Sequence, residues 1–140
     1  MTYRKGVCVV IHRNNDFLIF HRIQNWKGWE FLKGGIKPGE SEKKCLLREL
    51  KEETGSSKFK IIKTPYSFKY KWKKDYIKDN KRFHGMICNL YLAKFLENRI
   101  KIDRTEHDRF LWTKKDKVFK HLTHVNHKKA FKYVLKKYLS

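Results

Sequence analysis

The alternation of apolar and polar residues predicts a series of short strands near the start of the chain. Residues 6–13 are rich in valine and isoleucine and predict a buried strand. A polar turn at 14–16 separates them from residues 17–23, which predict the second strand of a hairpin. Residues 29–32 predict a further strand, which leads into a glycine-rich loop at 33–40.

The next predicted element is a helix. Ser41 fits the N-cap position, because its hydroxyl can accept a hydrogen bond from the first turn. Leu46, Leu47 and Leu50 form an apolar stripe that we expect to be buried. Gly55 is placed to end the helix, since glycine readily adopts the left-handed conformation of a C-cap.

The rest of the chain predicts more strands and a closing helix. Alternation predicts strands at residues 59–72, 83–95 and 110–112, and apolar spacing predicts a helix at 125–139, with Val125 among its expected core residues. Strands before and after one helix, followed by a final helix, indicate a mixed α/β structure. At 140 residues the chain is large enough for one core, so we expect a single domain, 1–140.

Charge adds an expectation about partners and location. Lysine and arginine number 35 against 14 acidic residues, a formal charge of +21 that attracts polyanions such as nucleotides and RNA. The aliphatic runs are too short to cross a bilayer, and no signal-peptide pattern is present. Three widely spaced cysteines form no metal-type pair. We therefore expect a cytoplasmic protein without a membrane partner, and the sequence leaves monomer or homodimer open.

The acidic residues, by contrast, are concentrated in one stretch. Five of the 14 lie between residues 40 and 53. Glu49, Glu52 and Glu53 stand at i, i+3 and i+4 on one side of the predicted helix, where each like-charged pair costs roughly 0.2–0.5 kcal/mol. A hard cation is the simplest reason to gather them, since magnesium prefers oxygen ligands and is often shared with substrate phosphates. The stretch predicts a site for Mg²⁺ or Mn²⁺.

The joint spacing of loop and helix is more specific than either part. Gly34 is followed after five residues by Glu40, and after seven more by the run Arg-Glu-Leu-Lys-Glu-Glu-Thr-Gly from residue 48. This pattern resembles the Nudix box, the signature of the Nudix hydrolases. Ser56 stands where the family usually has an aliphatic residue, which affects local packing only. The resemblance covers nearly the whole chain and implies the Nudix fold, an α/β fold of the α+β type with a mixed β-sheet sandwiched between helices.

The resemblance also implies a reaction and a set of site residues. Nudix hydrolases cleave a diphosphate linkage with the help of a divalent metal, which neutralises phosphate charge and orients water. Glu106, just before the strand that ends at Trp112, matches a metal-binding or basic glutamate of several subfamilies. The expected metal ligands are Glu49, Glu52, Glu53, Glu106 and the backbone carbonyl of Gly34. The expected catalytic residues are Glu49, Glu52, Glu106 and Arg48, which would hold a box glutamate by a charge-assisted hydrogen bond.

Substrate contacts outside the box are expected from basic and aromatic side chains. Lys33 is similar to the lysine before the glycines in diadenosine tetraphosphate hydrolases. Histidines 121, 124 and 127 fit no standard zinc spacing and are expected at the surface, and His21 has no evident partner. The candidates for phosphate are Lys33, Arg22, Lys81 and Arg82, and those for stacking on a base are Tyr70, Trp72, Tyr76 and Phe83.

Two Nudix subfamilies resemble this chain most. The run from Trp29 to Gly35 and the segment around Glu106 are similar to asymmetric diadenosine tetraphosphate hydrolases, which give ATP and AMP. The start of the chain and Phe83-His84-Gly85 are similar to RNA 5′-pyrophosphohydrolases, although Met86 replaces their usual glutamine. We favour a dinucleoside tetraphosphate substrate. RNA, a nucleoside triphosphate, and a non-catalytic RNA-binding role stay open as alternatives.

Overall fold

The computed structural model describes residues 2–73 and 82–139, so the predicted contacts of Tyr76 and Lys81 lie outside the described residues. Its strands and helices follow the predicted order with two additions, a short strand in the predicted glycine loop and a short helix after the last strand. The strands are β1 (Tyr3–Arg13), β2 (Asp16–Arg22), β3 (Gly28–Glu30), β4 (Leu32–Gly35), β5 (Phe59–Lys71), β6 (Gly85–Phe95) and β7 (His107–Thr113). The helices are α1 (Glu42–Thr54), α2 (Lys115–His121) and α3 (Val125–Tyr138).

The strands form one mixed sheet whose central strand is β1. The order is β3-β2-β1-β6-β5, with β1 and β6 parallel, and β7 pairs with β2. The edge of β1 opposite β6 carries two partners in turn: β4 pairs with residues 6–9 and β2 with residues 11–13. The sheet therefore divides along this edge, and the residues described below converge where it divides.

Helices cover both faces of the sheet, which confirms the predicted layers. On one face Cys45, Leu46 and Leu50 of α1 pack in an apolar cluster with residues of β1 and β2. On the other face Phe131 and Val134 of α3 pack in a second cluster. Burying two separate apolar clusters against one sheet removes most large apolar side chains from water.

Details at the helix ends and faces test the sequence predictions. The Ser41 hydroxyl accepts a hydrogen bond from the Lys44 amide at 3.2 Å, and Gly55 has φ of 77°, so both predicted caps are confirmed. Leu47 is 42% exposed, because it is turned about 100° from Leu46 around the helix. Val125, also expected in the core, opens α3 and is 62% exposed. The predicted burial of both residues is wrong.

Strand boundaries also differ from the predictions. The predicted glycine loop is partly a strand, since Lys33, Gly34 and Gly35 of β4 pair with β1. The last strand starts earlier than expected, at His107, because that segment pairs with the end of β2. Within the described residues no helix is long and apolar enough to cross a membrane.

Candidate active site

Arg48 organises the carboxylates of the glycine loop and α1. Its Nε and Nη2 donate to the two carboxylate oxygens of Glu40 at 2.7 and 3.0 Å. Its Nη1 donates to Glu49 at 2.9 Å and to Glu52 at 3.3 Å, and Nη2 also donates to the Gly35 carbonyl at 3.2 Å. The hydrogen bonds from Arg48 lower the pKa of Glu40 to about 2. One guanidinium thus fixes the predicted box carboxylates relative to the loop backbone.

Gly34 is the point where this backbone meets α1 most closely. A Cβ atom at Gly34 would lie 2.2 Å from the carboxyl carbon of Glu49, so any other residue would displace that carboxylate. Burial raises the pKa of Glu49 to about 7 against the opposing influence of Arg48, and the charges of Glu106 and Glu52 add to the increase. Burial, more than the neighbouring carboxylates, therefore opposes ionisation of Glu49.

Two further carboxylates, those of Glu53 and Glu106, lie close together near the start of β7 and the end of α1. One ligand atom each from Glu53, Glu106 and His107 lie within 4.8 Å of one another. Burial raises the pKa of Glu53 to about 7, although a hydrogen bond from His107 opposes the increase and Glu106 adds to it. The fold therefore brings Glu106 beside the box, although 53 residues separate it from Glu53 in sequence.

His107 is hydrogen-bonded through both ring nitrogens. Its Nδ1 lies 2.9 Å from Glu53 Oε2 and its Nε2 lies 2.8 Å from Glu30 Oε2. Burial alone would lower the pKa of His107, but the hydrogen bonds to Glu30 and Glu53 raise it to about 9, so the ring carries a proton on each nitrogen at neutral pH. A ring that donates on both sides has no lone pair for a metal.

Glu30 is a fully buried carboxylate that the sequence analysis missed. Its side chain is 0% exposed, and its Oε2 accepts a hydrogen bond from Arg22 at 3.0 Å as well as the one from His107. Its Oε1 lies 3.4 Å from the Lys33 ammonium. Although burial raises the pKa of Glu30, His107, Lys33 and Arg22 together hold it well below the usual range. Glu30 is therefore ionised in the interior.

Arg22 and Lys33, both expected to bind substrate, lie between Glu30 and a pocket. Arg22 Nη1 also lies 3.1 Å from Glu106. The Lys33 ammonium lies 4.8 Å from the ring centre of Tyr70 and 5.7 Å from that of Trp26. Both cations thus face aromatic rings on one side and carboxylates on the other.

The pocket has a volume of about 500 Å³ and opens beside the carboxylates. Gly34, Gly35 and Glu106 belong both to its wall and to the carboxylate region. Its basic lining residues are Arg4, Arg22, Lys27, Lys33, Lys71 and Lys73, and its aromatic ones are Trp26, Phe68, Tyr70 and Trp72. A phosphate chain bound along these cations would reach the carboxylates without leaving the pocket.

Two of the predicted substrate contacts lie elsewhere. Arg82 and Phe83 are not among the residues that line this pocket, and the Arg82 guanidinium lies 5.3 Å from the centre of the Phe83 ring. Trp26 and Lys71 line the pocket although no motif singled them out, and Arg4, part of the N-terminal resemblance to RNA 5′-pyrophosphohydrolases, lines it too. Trp26 follows a polar loop with no periodic pattern, so the sequence carried no signal for it.

The histidine predictions need correction. His127 is 2% exposed, and its Nδ1 accepts a hydrogen bond from the Phe31 amide at 3.3 Å, so it is not a surface residue. Burial lowers its pKa to about 3, which keeps the ring neutral against the pocket wall. His21, expected to lack a partner, lies 2.7 Å from Asp108 through Nδ1.

The donor set fits a hard divalent cation. Carboxylate oxygens of Glu49, Glu53 and Glu106 share a buried region with the backbone of Gly34, and Glu52 is half-exposed beside them. Oxygen ligands suit Mg²⁺ and Mn²⁺. The Cys45 thiol lies 3.9 Å from the Gly34 carbonyl, but burial raises its pKa to about 11, so it is not a thiolate that would favour a softer metal. Binding such a cation would offset the burial and the carboxylate repulsion that raise the pKa values of Glu49 and Glu53.

Comparison with known sequences agrees with this geometry. A family model described as NUDIX domain matches residues 2–134. An RNA pyrophosphohydrolase of Nitratiruptor sp. is 36% identical over 107 residues, which cover 72% of this chain and 68% of that protein. An RNA pyrophosphohydrolase of Legionella pneumophila is 27% identical over 115 residues, 77% of this chain and 66% of that protein. The matches span about two thirds of the length of these relatives.

Comparison with solved structures gives the same fold. The dihydroneopterin triphosphate pyrophosphohydrolase of E. coli superposes with a TM-score of 0.79 at 16% identity, over 95% of this chain and 97% of that one. A C. elegans Ap4A hydrolase binary complex superposes with a TM-score of 0.73 at 20% identity, over 92% and 93% of the two chains. At these identities the likeness shows the fold alone.

Proposed function

The chain belongs to the Nudix hydrolase family, which acts on nucleoside polyphosphates, and we propose that its substrate is the triphosphorylated 5′ end of RNA. Two relatives named RNA pyrophosphohydrolase support this choice, the first at 36% identity. The Ap4A hydrolase is similar in fold at 20% identity, and that likeness carries no argument for the dinucleoside tetraphosphate that the sequence favoured. We therefore favour RNA, the alternative substrate, over the dinucleoside tetraphosphate.

One observation carries the proposal: the basic, aromatic pocket opens directly onto the carboxylates. Arg22 and Lys33 are charged groups at the inner end of the pocket, and Arg4, Lys71 and Lys73 line the rest. Arginine and lysine can neutralise successive phosphates of a 5′ triphosphate. The aromatic lining offers flat surfaces on which the bases of a single strand can stack.

We assign separate roles to the residues that lie where the sheet divides. We assign Glu49, Glu52, Glu53, Glu106 and the Gly34 carbonyl to holding Mg²⁺ or Mn²⁺. The bound cation would neutralise charge on the phosphates and lower the pKa of water. Glu106 lies on the pocket wall as well as beside Glu53, so it is best placed to orient the attacking water.

Arg48 contacts the carboxylates of Glu49 and Glu52 and has a positioning role. It holds Glu49 and Glu52 by hydrogen bonds while Glu40 occupies the rest of its guanidinium. Fixed carboxylates need no reorganisation when the cation and substrate bind, and such preorganisation is a main source of electrostatic catalysis. Arg22 and Lys33 serve the substrate side, where they offset the charge of the phosphates before and during cleavage.

Product analysis tests the proposed substrate. The protein is incubated with Mg²⁺ and, in parallel, with a 5′-triphosphorylated RNA oligonucleotide, diadenosine tetraphosphate and single nucleoside triphosphates. We expect 5′-monophosphorylated RNA with release of pyrophosphate or phosphate, at a rate well above the other substrates. An RNA with a 5′ hydroxyl and the Glu53→Gln variant serve as controls and should give no product. Faster production of ATP and AMP from diadenosine tetraphosphate would overturn the RNA assignment and restore the dinucleoside one.

A further inference from the structure

The buried carboxylate of Glu30 is not among the residues that line the pocket. It contacts two side chains, His107 and Arg22, that in turn contact the proposed metal ligands. Its Oε2 accepts hydrogen bonds from His107 at 2.8 Å and from Arg22 at 3.0 Å. The other nitrogen of His107 lies 2.9 Å from Glu53, and the same Nη1 of Arg22 lies 3.1 Å from Glu106. Each cation therefore links Glu30 to one carboxylate of the proposed metal site.

These contacts close into a ring. Passing from Glu30 through His107 leads to Glu53, and passing through Arg22 leads to Glu106. One ligand atom of Glu53 and one of Glu106 lie within 4.8 Å of each other. The ring joins residues of β3, β7, α1 and β2. Glu30 is its most deeply buried member, at 0% exposure.

We propose that Glu30 is a positioning residue for the metal centre, acting through His107 on Glu53 and through Arg22 on Glu106. The argument rests on the proposed metal ligands, but not on the choice of RNA as substrate. Partners that hold a metal-ligating group in place typically contribute 10–100-fold to metal affinity or activity. A single carboxylate that orients two ligands at once belongs to this class of residue.

The burial of Glu30 argues for such a role against simple packing. An ionised carboxylate in the interior is costly unless several donors satisfy it, and an apolar residue of similar size could fill the same volume. The third cation, Lys33, lies 3.4 Å from Oε1 and lines the pocket. The same carboxylate thus holds the two metal-ligand partners and one lysine that faces the substrate.

The experiment measures binding of Mn²⁺ alone to the wild type and to Glu30→Gln. Free Mn²⁺ is followed by electron paramagnetic resonance during titration, so the result depends on no substrate. Glutamine has the same shape but no charge. Its carbonyl oxygen can still accept from His107 and Arg22, but its amide nitrogen then faces the Lys33 ammonium, and the cations lose their counterion. We expect Mn²⁺ affinity to fall by about 10–100-fold. In turnover assays the Mn²⁺ concentration needed for half-activity should rise by a similar factor, while the rate at saturating Mn²⁺ falls less.

The matched control is Glu42→Gln. Glu42 is a carboxylate with several partners of its own, the Asn89 amide, the Tyr91 hydroxyl and the Lys63 ammonium, but it lies at the start of α1 away from the ring. Its substitution should leave Mn²⁺ affinity unchanged within about twofold. A fall equal to that of Glu30→Gln would assign the loss to general destabilisation and overturn the proposal.

A double variant tests the route and guards against misfolding. Removing the Glu30 carboxylate alone leaves Arg22 and Lys33 buried without this counterion, whereas Glu30→Gln with His107→Gln replaces both partners of the Glu30–His107 hydrogen bond. If Glu30 acts through His107, the double variant should lose about as much Mn²⁺ affinity as the weaker-binding single variant, and the two losses should not multiply. Wild-type affinity in folded Glu30→Gln, or in the double variant if the single one does not fold, overturns the inference.

The outcomes separate this inference from the proposed function. If the wild type binds Mn²⁺ and cleaves triphosphorylated RNA, but Glu30→Gln binds Mn²⁺ equally well, only the role of Glu30 fails. If the wild type binds Mn²⁺ and Glu30→Gln does not, while RNA is not cleaved, the substrate assignment fails and the role of Glu30 stands. A wild type that binds no Mn²⁺ overturns both.

Discussion

The two ion clusters of the active site are built in opposite ways. In the Arg48 cluster one cation holds the carboxylates of Glu40, Glu49 and Glu52. In the Glu30 cluster one carboxylate holds the cations of Arg22, Lys33 and His107. The Arg48 side chain is 20% exposed and that of Glu30 is 0% exposed. The first cluster borders solvent, whereas the second lies inside the protein.

This difference predicts what each cluster contributes. A charge that borders solvent loses little when a partner is removed, because water replaces it. A buried charge that loses its partner is strongly destabilised. Changes in the Arg48 cluster should therefore affect metal binding and turnover more than folding, whereas changes in the Glu30 cluster should affect both. The predictions below test this contrast.

The largest effect is expected at Glu53, the residue that connects the metal site to the Glu30 cluster through His107. Glu53→Gln removes a proposed metal ligand, and the several kcal/mol that a bound cation contributes correspond to a loss of turnover of roughly 10³-fold. The fold should survive, because burial and Glu106 already favour the neutral form of this side chain. Steady-state rates and circular dichroism of the same preparation check both parts. Turnover within tenfold of the wild type would contradict the metal-site assignment.

A smaller loss is expected when Arg48 becomes lysine. The guanidinium donates to Glu40, Glu49 and Glu52 together, and a single ammonium cannot reproduce that planar geometry. Arg48→Lys should weaken metal binding or activity by about 10–100-fold. Thermal unfolding should change little, since the cluster borders solvent. Lys51→Arg, a change of cation on the same helix outside the cluster, is the control and should leave activity unchanged.

The contrast between the clusters also explains what the sequence could reveal. Each carboxylate partner of Arg48 lies within 8 residues of it along the chain, on one loop and one helix, so their spacing carries the pattern. Glu30 and His107 are 77 residues apart and meet only because β7 pairs with β2 beside β3. No local spacing encodes such a meeting. Glu106 was predicted only because family resemblance supplied the long-range information.

For the fold, too, local patterns in the sequence were predictive and other features were missed. Hairpins, caps and the layers follow from alternation and turn residues, and Asn14 and Asn15 adopt the positive φ values of 52° and 66° that their turn requires. Helix α2 was missed because it has seven residues and buries only Val118. The predicted burial of Leu47 failed for a related reason, since an apolar residue beside a stripe looks like part of it.

The pH dependence of stability sharpens the comparison in the metal-free protein. The folded-state pKa of Glu49 is about 7, above the ordinary value of 4.5. A raised pKa means that its protonated form contributes stability fully below pH 4.5, and that this contribution is lost as pH rises through 7. The loss is at most about 3 kcal/mol. Glu49→Gln cannot ionise and so avoids this loss. With a chelator present, the free energy of unfolding of the variant should therefore rise relative to that of the wild type between pH 5 and 8.

Urea unfolding of both proteins at several pH values measures this difference. Glu53, whose pKa is also raised to about 7, titrates in the same window in both proteins and so largely cancels. Added Mg²⁺ should restore wild-type stability more at pH 8 than at pH 5, and should do less for the variant. A wild-type-minus-variant difference that is constant from pH 5 to 8 would show that Glu49 is not strained by its burial.

The smallest effect is expected at Trp26, which tests whether the Glu30 cluster reaches the substrate. The ring lies 5.9 Å from the Arg22 guanidinium and 5.7 Å from the Lys33 ammonium, and it lines the pocket. Stacking of a base on an aromatic side chain is worth about 1–3 kcal/mol, so Trp26→Ala should raise KM for triphosphorylated RNA roughly tenfold. Turnover at saturating substrate should change less than KM, because Trp26 is not one of the residues assigned to the metal site. Trp112→Ala, which removes a tryptophan packed on Phe95 outside the pocket, should leave KM unchanged, and an equal rise there would contradict a direct contact.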